Sequence, residues 1–162
     1  MVPKDKGVEL GKLHHHEIMD LIDMVEFERG QKVAGHRGYF LKGIGVLFNQ
    51  ALINYGIATL HTNDYTLIQP PYFMKSSIMH KVCQLDDFSH ELYAVEADDE
   101  DSKYLIATSE QPLIGQHAGE QMEPQTLPIK YGGFATQFRK EAGSHGRDVW
   151  GIFRVHQFEK CE

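Results

Sequence analysis

The sequence holds only two cysteines, Cys83 and Cys161, among 162 residues. They form no C-x-x-C pair, which leaves no redox motif, and so sparse a complement suits a reducing cytosol. No apolar run approaches the roughly 20 residues of a membrane span. The opening Met1-Val2-Pro3-Lys4-Asp5-Lys6 lacks the hydrophobic region of a secretory signal, so the chain reads as soluble. Positive charge is also in deficit: 16 Lys and Arg against 23 Asp and Glu give a net charge of −7. Broad nucleic-acid affinity needs clustered Lys and Arg on phosphates, so any such contact here must be local. There is no internal repeat and no low-complexity segment. The length allows one domain at most, with enough chain to bury a core.

What is present concentrates at 138–162, FRKEAGSHGRDVWGIFRVHQFEKCE. Alternation in Ala135-Thr136-Gln137-Phe138-Arg139 and again at 152–158 predicts two antiparallel strands, joined by a loop rich in Gly, Ser and charge. That hairpin would bring Arg139 close to Val155, His156, Gln157 and Phe158. A guanidinium is always charged and offers planar paired donors, which suits the charge that develops in phosphoryl or nucleotidyl transfer.

These 25 positions resemble motif 2 of the class II aminoacyl-tRNA synthetases, in the wording of the seryl-tRNA synthetases. The resemblance implies an α+β fold, an antiparallel sheet flanked by helices and incomplete at its C-terminal end. It implies ATP contacts at Arg139, Lys140 and Glu141, with Arg139 catalytic. It further implies an adenine site at Val155, His156, Gln157 and Phe158, with Phe158 stacked on the base and Arg154 near the phosphates. The loop 143–150, with Arg147, would reach toward the tRNA acceptor end.

Upstream, Tyr104-Leu105-Ile106-Ala107-Thr108-Ser109-Glu110-Gln111-Pro112 reads as a strand running into a helix, with Glu110 and Gln111 in its first turn. It resembles the amino-acid-binding segment of the same family. By that resemblance serine is held by Thr108, Arg139 and Glu162; which of Thr108 and Glu162 takes the amine and which the hydroxyl stays open. A serine site discriminates through hydrogen bonds to ammonium and hydroxyl more sharply than an apolar cavity does.

Leu41, Ile44, Leu47, Phe48, Leu52, Tyr55 and Leu60 recur at helical spacing and predict an amphipathic helix over 39–60. A strand over 65–69 follows, closed by Pro70 and Pro71. Together they resemble motif 1 (about 40–73), which in this family builds a homodimer interface. Asp64 stands where the family has glycine, and Asp tolerates turn geometry. The entrance residues His14, His15, His16 and Glu17, and Gly35 to Leu41, resemble the start of the family's catalytic domain. Neighbouring histidines on a helix point in different directions, and no Cys or second His cluster stands at zinc spacing, so they read as surface or capping residues and no metal site is assigned. The acidic run Glu96-Ala97-Asp98-Asp99-Glu100-Asp101 reads as a solvated hairpin tip, and Leu127 to Tyr131 as a strand.

The expected organisation is a tail over 1–12 and a partial catalytic domain over 13–162, with motif 2 at about 135–162. The family's tRNA-gripping helical arm and its motif 3 are expected to be absent. Motif 3 carries the arginine for the ATP γ-phosphate and the usual Mg²⁺ ligand. The implied activity is that of a cytoplasmic serine–tRNA ligase fragment, with ATP, Mg²⁺, serine and tRNA(Ser) as cofactors and partners. Two rivals are a non-catalytic dimerising paralogue and a relative that hands serine to a carrier protein.

Overall fold

The computed structural model describes residues 10–83, 90–95, 102–141, 146 and 150–162. The chain divides into two compact units, Met1–Leu52 with Gly143–Val155, and Ile53–Ala142 with His156–Glu162.

In the first unit a 3-10 turn, Leu10–Lys12, leads to α1 (His15–Leu21). His14 is the N-cap of α1, and the Glu17 carboxylate accepts its backbone N–H at 2.7 Å, satisfying one of the donors a helix start exposes. Strand β1 (Val25–Glu26) pairs antiparallel with β2 (Phe40–Leu41) around α2 (Phe27–Ala34). The core is Met19, Met24 and Val25, with Phe27, Tyr39, Leu41 and Ile152 packed on it. The expected helix over 39–60 forms as α3 (Ile44–Thr62), because Phe40 and Leu41 are claimed by the pairing with β1.

Nor is α3 amphipathic. It contains no Asp, Glu, Lys or Arg, and apolar residues such as Val46, Ala51, Ile53 and Ile57 fill the positions between those read as its stripe. Ile44, Leu47, Phe48, Leu52 and Tyr55 are all more than half exposed. At its end Thr59 and Thr62 hydroxyls donate back to the Tyr55 and Ala58 carbonyls. Asp64 then turns the chain at φ 62°, a left-handed geometry that Asp tolerates better than most residues.

Among the described residues the second unit holds two three-stranded sheets. In one, β3 (Thr66–Ile68) lies parallel to β7 (Tyr131–Phe138), which pairs antiparallel with β8 (Gln157–Cys161). In the other, β6 (Lys103–Leu105) runs antiparallel between β4 (Phe73–Lys75) and β5 (Ala94–Val95). Phe138 N–H donates to the Ile106 carbonyl and Lys140 N–H to the Glu91 carbonyl, both at 2.9 Å, tying the end of β7 to the chain around β5 and β6. Helices α4 (Ser76–Val82) and α5 (Glu110–Gly115) cover a core of Met74, Met79, Leu92, Ile106, Ala107 and Ala135.

Two strand expectations shift. The chain from 127 to 130 is not strand: a 3-10 turn, Pro124–Thr126, precedes it, and Pro128 has no N–H to give a ladder, so β7 begins at Tyr131. Residues 152–156 are likewise not strand; Gly151 turns at φ 69° and β8 begins at Gln157. The acidic run at 96–101 lies outside the described residues.

Candidate functional site

The register Phe138↔Gln157 determines which side chains share a face. Side chains alternate along a strand, so Phe158 and Lys160 of β8, and Glu162 just past its end, lie on one face with their partners Gln137, Ala135 and Gly133 of β7. Arg139 follows directly. Its backbone N–H donates to the His156 carbonyl at 2.9 Å, and its own carbonyl is 3.0 Å from His156 Nδ1. Its Nε donates to the Ala107 carbonyl at 3.1 Å, and its guanidinium carbon sits 5.4 Å from the Phe158 ring centre, a cation–π arrangement.

The start of α5 meets the same sheet. Gly133 makes this approach possible, because a Cβ there would lie 2.8 Å from Ser109 Cβ and 3.0 Å from Leu113 Cδ1. Ser109, fully buried, does not cap the helix through its hydroxyl; Oγ instead accepts from Gln137 Nε2 at 2.9 Å. The cap comes from Glu162. Its Oε1 accepts from Thr108 Oγ1 at 2.6 Å, from the Ser109 N–H, and from the Glu110 N–H at 3.3 Å, a negative charge at the positive end of a helix. Its Oε2 pairs with Lys160 Nζ, which also donates to Thr108 Oγ1 at 3.3 Å. Burial pushes the Glu162 carboxyl up, but Lys160, Thr108 and the Ser109 N–H outweigh it, and its pKa falls below the ordinary value.

Thr108 and Arg139 line one cavity of about 240 Å³, together with Glu91, Gln111, Cys83 and Ala107. Its wall mixes carboxylate, hydroxyl, amide and guanidinium, a donor and acceptor set suited to a small zwitterion.

Of the residues read from the sequence, the second unit therefore brings together Thr108, Arg139, His156, Phe158 and Glu162. Lys140 stands over the Tyr93 ring at 5.9 Å, Glu141 has φ 51°, and Gln157 is exposed. Arg154, exposed, and Val155, buried, belong to the first unit. Most of the loop 143–150, Arg147 included, lies outside the described residues. The three histidines join Trp150 and Phe153 in an aromatic cluster of the first unit, where His15 Nε2 accepts the Ile152 N–H at 3.1 Å. That unit also holds a larger, almost wholly apolar cavity of about 750 Å³, lined by Ile18, Met19, Ile22, Leu47, Phe48 and Leu52 among others.

Lys160, Ser109 and Gln137 were not read as site residues. Period-two alternation would have put Lys160 beside Glu162, but nothing local marks Ser109 or Gln137, whose partners lie far away in sequence.

Residues 93–162 match the model of the tRNA synthetase class II core domain (G, H, P, S and T). The chain is 57% identical over 152 residues to the cytoplasmic serine–tRNA ligase of Dictyostelium discoideum, covering 94% of this chain and 34% of that relative. A crystal structure of the cytoplasmic serine–tRNA ligase of Naegleria fowleri in complex with AMP superposes with a TM-score of 0.86 at 49% identity, covering 92% of this chain and 34% of the other. The seryl-tRNA synthetase of Pyrococcus horikoshii complexed with ATP gives 0.81 at 38% identity, over 90% and 32%. The chain thus spans about a third of the length of the curated relatives it matches.

Proposed function

Because the chain belongs to the seryl-tRNA synthetase family of class II aminoacyl-tRNA synthetases, we propose that it carries the amino-acid and nucleotide site of a cytoplasmic serine–tRNA ligase. The observation that carries this reading is the single cavity lined by Thr108 and Arg139, with the arginine anchored on the Ala107 carbonyl and laid over Phe158.

The reaction has two steps. A serine carboxylate oxygen attacks the α-phosphorus of ATP, the bond to the β-phosphate oxygen breaks, and pyrophosphate leaves. A ribose hydroxyl at the end of tRNA(Ser) then attacks the seryl carbonyl and AMP departs. With Nε committed to Ala107, Arg139 still carries four N–H bonds on its two Nη atoms, a fork for the carboxylate and the α-phosphate oxygens. A donor so fixed stabilises developing charge without reorganising. Thr108 and Glu162 take the polar groups of serine. Lys140, Glu141, His156, Gln157 and Phe158 serve the nucleotide, and Mg²⁺ enters with ATP.

The apolar surface of α3 supports a homodimer through motif 1. Exposed side chains such as Leu47 and Leu52, continuous with an apolar cavity, are a contact surface rather than a solvated face. Sedimentation of a Leu47→Glu variant tests this; a mass unchanged from that of the wild type would count against it.

The test of function is serine-dependent ATP–pyrophosphate exchange by the purified chain, with threonine and alanine as control amino acids. Serine-selective exchange above the level of an Arg139→Ala variant supports the reading. A folded sample that exchanges nothing counts against adenylation by this chain alone, and leaves either a fragment that needs motif 3 or a non-catalytic paralogue.

A further inference from the structure

The cluster that joins β8 to α5 contains a cation to which the reading above gives no role. Lys160 Nζ pairs with Glu162 Oε2 and donates to Thr108 Oγ1. Glu162 Oε1 is already taken by Thr108, Ser109 and Glu110. Thr108 has one hydroxyl proton and gives it to Glu162, so what this pair can offer a ligand is lone pairs alone. An acceptor-only pair receives ammonium and hydroxyl donors. Its acceptor strength depends on the carboxylate staying charged and staying in place.

We propose that Lys160 is a positioning residue of the amino-acid site, holding the Glu162 carboxylate ionised and aimed at Thr108 so that the pair accepts the donor groups of serine. This rests on the serine reading. The geometry is specific to the strand. Lys160 in β8 and Glu162 directly after it share a face, and the cross-strand neighbour of Lys160 is Ala135, whose single side-chain carbon leaves space for the lysine stem. The side chain of Glu162 is 13% exposed and that of Lys160 37%, so the pair is only partly screened by solvent.

Among the described residues other charges do not duplicate the part: Arg139 lines the cavity with Thr108 but is turned to the Ala107 carbonyl and the Phe158 ring. The start of α5 brings uncharged Thr108 and Ser109 and the exposed acid Glu110. β7 brings Gly133, Ala135 and Gln137, none of which titrates. α3 meets β8 through Gly56 against Cys161, a residue of the opposite face. With Lys160 gone, burial is left to raise the Glu162 carboxyl against neutral donors only.

The test is calorimetric titration of L-serine and, separately, ATP into the wild-type chain and its Lys160→Met and Lys160→Arg variants, from about pH 4.5 to 8. Lys160→Met is expected to weaken serine about tenfold near neutral pH while leaving ATP binding unchanged. The acid limb of serine binding should move to higher pH, and Lys160→Arg should restore both. Retained ATP binding reports that the variant is folded. Wild-type serine affinity and an unmoved acid limb in Lys160→Met overturn the proposal, as does an equal loss of serine and ATP with no movement of the limb. A wild-type chain that binds ATP but no serine overturns the serine reading itself, and the role of Lys160 with it.

Discussion

Thr108 Oγ1 donates to Glu162 Oε1 across 2.6 Å and 54 residues of sequence. The bond joins the start of α5 to the end of β8, and both its partners belong to the proposed serine site.

Thr108→Val keeps the shape of the side chain and removes the hydroxyl. It deletes the bond to Glu162 and the acceptor used by Lys160, so serine should bind about tenfold or more weakly while ATP is little affected, as expected for a hydrogen bond to a charged group. Separate KM values for serine and ATP in the exchange assay check this. Equal loss of both would mean that Thr108 supports the fold instead.

Arg139→Ala removes the fork and the cover over Phe158. A preorganised donor of this kind contributes on the order of 3 kcal/mol to a transition state, so exchange should fall about a hundredfold or more. Exchange within a few-fold of wild type would assign the charge-stabilising part to another group.

Gly133→Ala places a methyl against Ser109 and Leu113, and backbone or helix must give way. A loss of about 1–3 kcal/mol is expected from overpacking, read as a lower denaturant midpoint. Since the same contact seats Thr108, serine affinity should fall along with stability. A variant as stable as wild type would show that α5 can move without cost.

His15 titrates below its ordinary value of 6.5, first because it is partly desolvated and then because His16 and His14 repel a further positive charge. Its Nε2 accepts the Ile152 N–H only when unprotonated. A depressed folded-state value means that the unfolded chain takes the proton first. The stabilising contribution is therefore complete above about pH 6.5 and is lost as pH falls through the folded value. Melting temperatures of wild type and His15→Gln should converge as the solution is acidified. A constant gap between them from about pH 7.5 to 5 would remove His15 from the explanation.

Much of the fold was legible because its signals are local. Alternation at Ala135 to Phe138 marked β7, the Thr108-Ser109-Glu110 turn marked the start of α5, and helical spacing marked α3. The boundaries moved where pairing decided. Phe40 and Leu41 fit a helical pattern equally well but formed β2 against β1, and residues 152–156 alternate like a strand but follow a turn at Gly151.

The sequence by itself determined the family, and with it Arg139, Phe158, Thr108 and Glu162 as residues to examine, because their types and spacing within short segments carry that likeness. Only the tertiary structure decided how they meet. The β7–β8 register turns Lys160 and Glu162 to the face beneath α5, and a slip of one residue would have sent both to the other side. Glu162 caps a helix that begins more than 50 residues upstream, Gln137 holds Ser109, and Lys160 completes the cluster. A hydrogen bond forms where packing brings donor to acceptor, and sequence distance carries no trace of it.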